Sequence, residues 1–283
     1  MTHMIDLHVH SNISDGTLSP SKVIDLAVQH GLKAIALTDH DTVGGIGEAS
    51  ARASYYQQKG TDFTLIPGVE LSVGYKKRDI HILGLYIDPK NKEFLALLDQ
   101  MVTEREDRNQ KMVQNFQDNG IQITLDELKE ESKEAVITRA HFAKLLVRKH
   151  YAASTKEAFI KYLNEDGKYY VNRKFITPEQ AIDTITQAGG VPILAHPMLY
   201  HLPDEELDSL IARLTKHGLK GIETIYSTYT KEEEQKVRTL ANKYNLILTG
   251  GSDFHGEVKP DISIGTGRGN LVIPDELLNQ FSK

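Results

Sequence analysis

The feature that most restricts the fold of this chain is a series of seven short apolar runs, most of them followed by polar residues and a segment with helical periodicity. The runs are residues 5–9, 34–37, 65–70, 80–85, 191–195, 221–225 and 246–248. Alternation of strands with helices is typical of α/β proteins, and seven such units favour a parallel barrel over an open sheet. The 283 residues suffice for one large barrel.

The first apolar run also carries candidate functional residues. Apolar and polar residues alternate from Ile5 to His10, which is the period of a β-strand. His8 and His10 stand two residues apart, so both imidazoles point to the same side of the strand. They can bind one metal ion or two neighbouring ions. Considered alone, a chance pair of histidines explains this stretch equally well.

Further nitrogen and oxygen donors accompany the other apolar runs. His40 follows the second run, Glu70 ends the third, and His81 lies within the fourth. A single histidine in an apolar strand is more often a satisfied core residue than a ligand, but the repetition of strand, donor and helix favours the ligand interpretation. The candidate metal ligands are His8, His10, Asp15, His40, Glu70, His81, His196, Asp253 and His255.

Nine donors exceed the three or four that one catalytic ion needs, so the sequence predicts two or three divalent metal ions. The chain has no cysteine, which excludes thiolate ligands. Imidazole combined with carboxylate suits Mn, Fe or Zn as the bound metal. Of these three, we expect Mn, with Fe or Zn as alternatives. Ions about 3.5–4 Å apart can ionise a bridging water and hold a phosphoryl oxygen. Hydrolysis of a phosphate ester by a metal-bridging hydroxide is the reaction that this set of residues suits best.

The amino-acid composition restricts the kinds of molecule and membrane with which the chain can associate. The net charge of −6 provides no global attraction to nucleic acid, so a polyanion must be met locally. No apolar run approaches the length of a membrane span, and the N-terminus lacks a basic and apolar signal segment. We therefore expect a cytoplasmic protein with no membrane association and no obligate protein partner.

The alternation of strands and helices is interrupted between residues 91 and 178. Helical periodicity over 91–119 and further helices over 125–128, 140–147 and 156–163 predict a helical insertion. We place the barrel in residues 1–98 and 179–283 and the insertion, which would cap the substrate, in 99–178. Residues 137–178 carry nine Lys or Arg, three Asp or Glu and seven aromatic residues. This mixture suits binding of phosphate and stacking of bases, or equally a solvated face whose tyrosines pack the insertion.

Several ordered motifs resemble those of the PHP family (polymerase and histidinol phosphatase). They are His8-Val9-His10-Ser11, Ser14-Asp15-Gly16, Thr38-Asp39-His40-Asp41, Pro67-Gly68-Val69-Glu70, the strand with His81, Ala195-His196-Pro197 and Gly251-Ser252-Asp253-Phe254-His255. The resemblance covers both ends of the chain. It implies a distorted seven-stranded (β/α)7 barrel with a trinuclear metal centre at the carboxyl ends of the strands.

The resemblance also implies how the ligands are divided. One metal would be held by His8, His10, Glu70 and Asp253, a second by Asp15, His40 and His255, and a third by His81 and His196, with Glu70 bridging the first and third.

The insertion resembles the family branch of small nucleotide phosphoesterases, whose members act on 3′,5′-bisphosphonucleotides or trim short RNA from its 5′ end. The resemblance implies that Arg139 and His141 clamp the substrate phosphate. A surface cation at a helix start is the alternative for Arg139. Thr138 and Ala140 stand where the family pattern has Gly and Pro, a departure that bears on the backbone of this loop and hence on substrate placement. Asp39, His141 and His255 are candidate general acids.

The predicted function is hydrolysis of a phosphate ester of a small nucleotide or of the 5′ end of short RNA. A histidinol-phosphate phosphatase is the alternative within the same chemistry. A nuclease or accessory module linked to a polymerase belongs to a different class; such barrels are part of much longer chains. An inactive barrel would have lost ligands, and a barrel that hydrolyses amides would carry a strand lysine at a ligand position.

Overall fold

The computed structural model describes residues 4–76, 78–132, 136–164, 167–171 and 176–281. Its strands are β1 (Ile5–Val9), β2 (Ala34–Leu37), β3 (Thr64–Tyr75), β4 (Arg78–Leu85), β5 (Val191–Leu194), β6 (Gly221–Tyr226) and β7 (Ile247–Gly251). Its α-helices are α1 (Pro20–Gln29), α2 (Ile46–Gln58), α3 (Lys92–Asp118), α4 (Leu125–Ser132), α5 (Arg139–Arg148), α6 (Thr155–Ala158), α7 (Pro178–Gln187), α8 (Asp204–Lys216) and α9 (Lys231–Tyr244).

The seven strands form one sheet in the order of the sequence, β1 to β7. The sheet curls until its edges meet: Asp253 N donates to His8 O at 2.8 Å, and His10 N donates to Phe254 O at 3.0 Å. A buried apolar cluster with contributions from six strands fills this structure; it includes Ile5, Ala36, Ile66, Leu83, Ile193 and Ile225. The predicted α/β barrel of seven strands is confirmed.

The expectation of a parallel barrel is wrong for one strand. β4 runs antiparallel to both β3 and β5, whereas the other neighbouring pairs are parallel. Only residues 76–77 connect β3 to β4, and a parallel crossover needs about a dozen residues or more. The reversal brings the first half of β4, with His81, to the end of the barrel where the parallel strands finish.

Local signals fix where several helices begin. Ser19 caps α1, with Pro20 in the first turn. Thr177 and Gln180 form a capping box at α7: Gln180 N donates to Thr177 Oγ1 at 3.2 Å, and Thr177 N donates to Gln180 Oε1 at 2.8 Å. The order Thr-Pro-Glu-Gln over residues 177–180 is the sequence pattern of such a box. Within the described ranges, no helix combines the length and apolar character needed to cross a membrane.

The helical segment has an apolar core of its own. Phe116, Phe142, Leu145, Leu163 and Tyr169 are among its buried residues. The long helix α3 is shared, because its first turns, with Phe94 and Met101, pack into the barrel core instead. The single helix predicted over 156–163 is divided into α6 and a π-helical turn over Phe159–Leu163. Of the aromatic residues singled out in this segment, Phe175 lies outside the described residues.

Candidate metal centre

Glu70 lies at the middle of the cluster of candidate ligands. The carboxylate is buried, with 1% of the residue exposed. Its Oε2 is 3.2 Å from His8 Nε2, 3.2 Å from His10 Nε2 and 3.1 Å from His40 Nδ1. Its Oε1 is 2.7 Å from His81 Nδ1 and 3.0 Å from His196 Nε2. One carboxylate therefore faces five imidazoles. Three of them lie near Oε2 and two near Oε1.

Backbone pairing between strands sets this proximity. Beyond the end of β2, Asp41 N donates to Glu70 O at 2.9 Å, which aligns His40 with Glu70. Ala195 N donates to His81 O at 3.1 Å, which brings His196 beside His81. The ring centroids of His81 and His196 are 5.1 Å apart.

Asp253 completes a group with His8 and His10. Its Oδ1 is 3.6 Å from His8 Nε2 and 3.4 Å from His10 Nε2. Donor atoms of these three residues all lie within 4.8 Å of one another. Asp253 has a φ of 56°, a left-handed conformation that is rare for residues other than glycine and common at functional sites.

Asp15 and His255 form a second group with His10 and His40, again with donor atoms within 4.8 Å of one another. Asp15 Oδ1 is 3.2 Å from His255 Nε2, and Asp15 Oδ2 is 3.8 Å from His40 Nε2. Two further groups among the described residues have three members each: His8 with Glu70 and His196, and His40 with Glu70 and His81. All nine candidate ligands thus lie in one contiguous cluster.

Within the cluster, the pKa of each carboxylate and imidazole depends strongly on its charged neighbours. Burial alone would raise the pKa of Glu70, but His81, His8 and His40 hold it well below the usual range. Burial alone would lower the pKa of His10, yet the nearby carboxylates of Asp253 and Glu70 raise it to about 9. Burial lowers the pKa of His40 to about 3 against the opposing effect of Glu70. Carboxylates stay ionised beside imidazoles, which is the state that metal ligands require.

The donor set fits divalent metal ions. Nε2 of His8, both ring nitrogens of His10 and Nδ1 of His40 are buried and have no hydrogen-bond partner in the described structure. A buried polar atom without a partner costs roughly 1–3 kcal/mol, so atoms of this kind call for a ligand. Nitrogen donors beside the carboxylates of Glu70 and Asp253 match the coordination of Mn, Fe or Zn.

Residues outside the predicted set orient the ligands. Glu223 on β6 lies 3.1 Å from His8 Nδ1 through Oε1, and its Oε2 accepts from His196 N at 2.8 Å. A carboxylate on the far nitrogen of a metal-binding histidine fixes the ring and raises its basicity. Glu223 was not predicted, although a carboxylate inside the apolar run 221–225 was a usable signal.

Asp253 is held by two further residues that the sequence analysis missed. Tyr226 Oη donates to Asp253 Oδ2 at 2.6 Å, and Lys259 Nζ donates to the same oxygen at 2.5 Å. Gly251 lies where no side chain fits, because a Cβ there would clash with the His8 side chain and lie 2.9 Å from Glu223 Oε1.

Asp39 takes a different place from the one expected of a catalytic residue. Its carboxylate is buried and accepts from Ser11 N at 2.8 Å, from Ser11 Oγ at 2.7 Å and from Ser14 Oγ at 2.7 Å. These bonds fix the loop that carries Asp15. Asp39 thus positions the loop of a candidate ligand, and its expected role as a general acid stays a prediction.

A cavity of about 360 Å³ opens on the cluster. Four of the candidate ligands line it: Asp15, His40, His81 and His255. Residues of the helical segment line it too, among them Arg139, whose guanidinium lies 3.6 Å from Asp79 Oδ2 and above the ring of Tyr170. Asp79 Oδ1 is in turn 3.8 Å from His81 Nε2, so Arg139 lies near the His81 part of the ligand cluster.

His141 does not share this position. Its Nδ1 accepts from Thr138 N at 3.0 Å as the third residue of α5, closing a capping box with Thr138. It lines a separate cavity, with Asn12, Lys144 and Glu257. Through this bond His141 also fixes Thr138, whose Oγ1 donates to Asp15 Oδ2 at 3.3 Å. A contact between His141 and the substrate phosphate stays a prediction.

The geometry is that of a metal-binding barrel protein, with ligands from both ends of the chain gathered at one end of the barrel. The chain belongs to the PHP domain family, whose model matches residues 6–176. The predicted family is thereby confirmed.

Similar proteins include a 5′-3′ exoribonuclease of Haemophilus influenzae, 35% identical over 90% of this chain and 91% of that protein. A 3′,5′-nucleoside bisphosphate phosphatase of Chromobacterium violaceum is 34% identical over 89% of this chain and 87% of its own. A solved structure from Bifidobacterium adolescentis, described as that of a metal-dependent phosphoesterase, has a TM-score of 0.84 and 28% identity over 98% of this chain and 95% of its own. The resemblance to the nucleotide phosphoesterase branch is confirmed.

Proposed function

We propose that this PHP-domain phosphoesterase, with two or three divalent metal ions, hydrolyses a phosphate ester of a small nucleotide. The substrate is a 3′,5′-bisphosphonucleotide or the 5′ end of short RNA. The observation that carries the proposal is a cluster of nine imidazole and carboxylate side chains, four of which line the 360 Å³ cavity together with Arg139. Relatives named for RNA and for nucleoside bisphosphates support the nucleotide class.

Bound divalent metal ions would supply a lowered pKa for water and an electrostatic field for phosphoryl oxygens. The protein supplies geometry. Glu223 fixes the ring of His8, and Tyr226 with Lys259 fixes the carboxylate of Asp253. Arg139 offers a planar pair of donors suited to two phosphate oxygens, and Asp79 sets the direction of its guanidinium.

Comparison of substrates tests the proposal. Protein loaded with Mn is given adenosine 3′,5′-bisphosphate, a 5′-phosphorylated short RNA and histidinol phosphate, and release of phosphate or mononucleotide is measured. We expect the better of the two nucleotide substrates to exceed histidinol phosphate by at least about tenfold in kcat/KM. Preference for histidinol phosphate would support the alternative phosphatase, and hydrolysis of none of the three would overturn the proposal.

Arg139 can be tested by a variant with a matched control on the same helix. Arg139→Ala should raise KM for the preferred substrate by about tenfold or more, because a charge-assisted contact to phosphate contributes roughly 1.5–3 kcal/mol. Arg148→Ala is the control, since Arg148 is half exposed and pairs with Glu131 at 3.0 Å. Equal KM values in the two variants would remove Arg139 from the substrate site.

A further inference from the structure

The aromatic residues of the helical segment differ in their exposure and in what surrounds them. Phe116, Phe142 and Tyr169 are buried in its apolar core, and Tyr151 and Tyr162 pack against that core. Tyr170 lies beneath Arg139. Phe159 differs from these residues, because 37% of it is exposed and it lines the cavity that opens on the candidate metal ligands.

The π-helical turn explains why an aromatic side chain faces this cavity. Hydrogen bonds in a π-helix join residues five apart, so Ala158 and Leu163 both reach the apolar core. Phe159 and Ile160, which lie between them, are turned outward. Of these two, Phe159 is part of the cavity lining. Single turns of π-helix occur frequently at functional sites.

The surroundings of Phe159 match the parts of a nucleotide. The same cavity carries Arg139 and the ligand cluster, which suit a phosphate, and Lys156 lies one turn before Phe159 on the segment that lines it. A cavity of 360 Å³ is within the range of sites for small molecules. An exposed ring beside a phosphate site offers a flat apolar face of the kind on which nucleobases stack.

We propose that Phe159 is the platform on which the nucleobase of the substrate stacks while its phosphate lies between Arg139 and the ligand cluster. This inference rests on the proposed function and adds the residue that recognises the base. Stacking requires only a π-face, so Phe159 favours nucleotides over other phosphate esters without selecting one base.

Kinetics with and without the base measure the contribution of Phe159. The two substrates are adenosine 3′,5′-bisphosphate and its abasic tetrahydrofuran analogue, which has both phosphates and no base. Stacking on an aromatic side chain should give the wild-type protein a preference of about 5- to 100-fold for the substrate with the base. Phe159→Leu, which keeps an apolar side chain without a ring, should lose most of that preference, and Ile160→Leu should keep it.

Fluorescence gives a second measurement that does not depend on turnover. The chain has no tryptophan, so Phe159→Trp and its control Ile160→Trp each contain a single fluorophore. Stacking of adenine should quench Phe159→Trp saturably, the abasic analogue should not, and Ile160→Trp should respond to neither. Ile160 is 64% exposed and suits this control.

The two measurements keep this inference distinct from the proposed function. Equal quenching of Phe159→Trp by both compounds, or an unchanged base preference in Phe159→Leu, would overturn the base platform while hydrolysis of nucleotides continued. Quenching that depends on the base, in a protein that hydrolyses no phosphate ester, would support the platform and overturn the proposed function.

Discussion

Glu223 is not one of the candidate ligands, but it orients two of them. Its two oxygens contact His8 Nδ1 and His196 N, so one carboxylate orients ligands from β1 and from the segment after β5. It is completely buried, and each oxygen has a partner: an imidazole nitrogen for Oε1 and a backbone amide for Oε2. At the scale of single residues, the site depends on such supports as much as on the ligands themselves.

Glu223→Gln should weaken metal binding by about 10- to 100-fold, because the amide is a poorer acceptor for His8 Nδ1–H and adds a donor that faces the ring. Metal affinity measured by titration with Mn, together with kcat, checks this. Glu232→Gln on the exposed face of α9 is the control. An affinity within twofold of the wild type would show that the ring of His8 needs no such support.

His141 connects pH to stability. Burial lowers its pKa to about 4, from an unfolded value near 6.5. The unfolded chain therefore binds more protons between these values, and the folded state loses up to ~3 kcal/mol from this group as the pH falls from about 6.5 to 4. Asn at position 141 keeps an acceptor for Thr138 N and does not titrate.

We therefore expect the fall in melting temperature between pH 7 and pH 5 to be smaller in His141→Asn than in the wild type. Both proteins are measured in chelator, so that metal loss does not contribute. His150→Asn, at an exposed position after α5, should behave like the wild type. An identical fall in all three proteins would contradict the assigned neutral state of His141.

At the scale of elements, α3 joins the helical segment to the barrel through a buried ion pair. Arg105 on α3 donates to the carboxylate of Asp41 and lies 3.3 Å from Ser72 Oγ on β3. Asp41 Oδ1 in turn accepts from Ser72 N at 2.8 Å, next to His40. The helix that carries the insertion is thus fixed to the strands that carry His40 and Glu70.

Arg105→Met should destabilise the protein by about 3–5 kcal/mol, because it leaves the charge of Asp41 buried without its cation. The free energy of unfolding measured in urea checks this value. Asp41→Asn combined with Arg105→Met should recover part of the loss, since the buried charge is then removed. Unchanged stability in the single variant would show that the ion pair does not join the two parts.

Sequence patterns predicted where the strands lie better than the direction in which each strand runs in the sheet. The runs at 5–9 and 34–37 became β1 and β2 with the same bounds, and every residue of both strands is buried. The reversal of β4 depends on the short connection at 76–77, which no pattern of hydrophobicity records. The π-helical turn after α6 likewise depends on how Ala158 and Leu163 reach a core formed by distant helices.

At the scale of the whole molecule, the ligand cluster could be predicted because its members occupy repeated positions near strand ends. Among the residues that support the ligands, Glu223 left a signal in its apolar run, but Arg105 did not, because it meets Asp41 across 64 positions of the sequence. Lys259 is only six positions from Asp253, but no pattern distinguishes it from other lysines of a loop. The capping bond of His141 to Thr138 N was not predicted, because the sequence alone does not show which group a ring nitrogen faces.

If residues from both ends of the chain hold several metal ions in one cluster, each chain binds more than one ion. The number of ions per chain is measured by elemental analysis after equilibration with Mn, Fe or Zn and removal of free metal. We expect two or three ions in the wild type and fewer in His10→Ala and in Asp253→Ala, which should also lose turnover. A wild-type protein that binds less than one ion per chain with each metal would show that the cluster is not a metal centre.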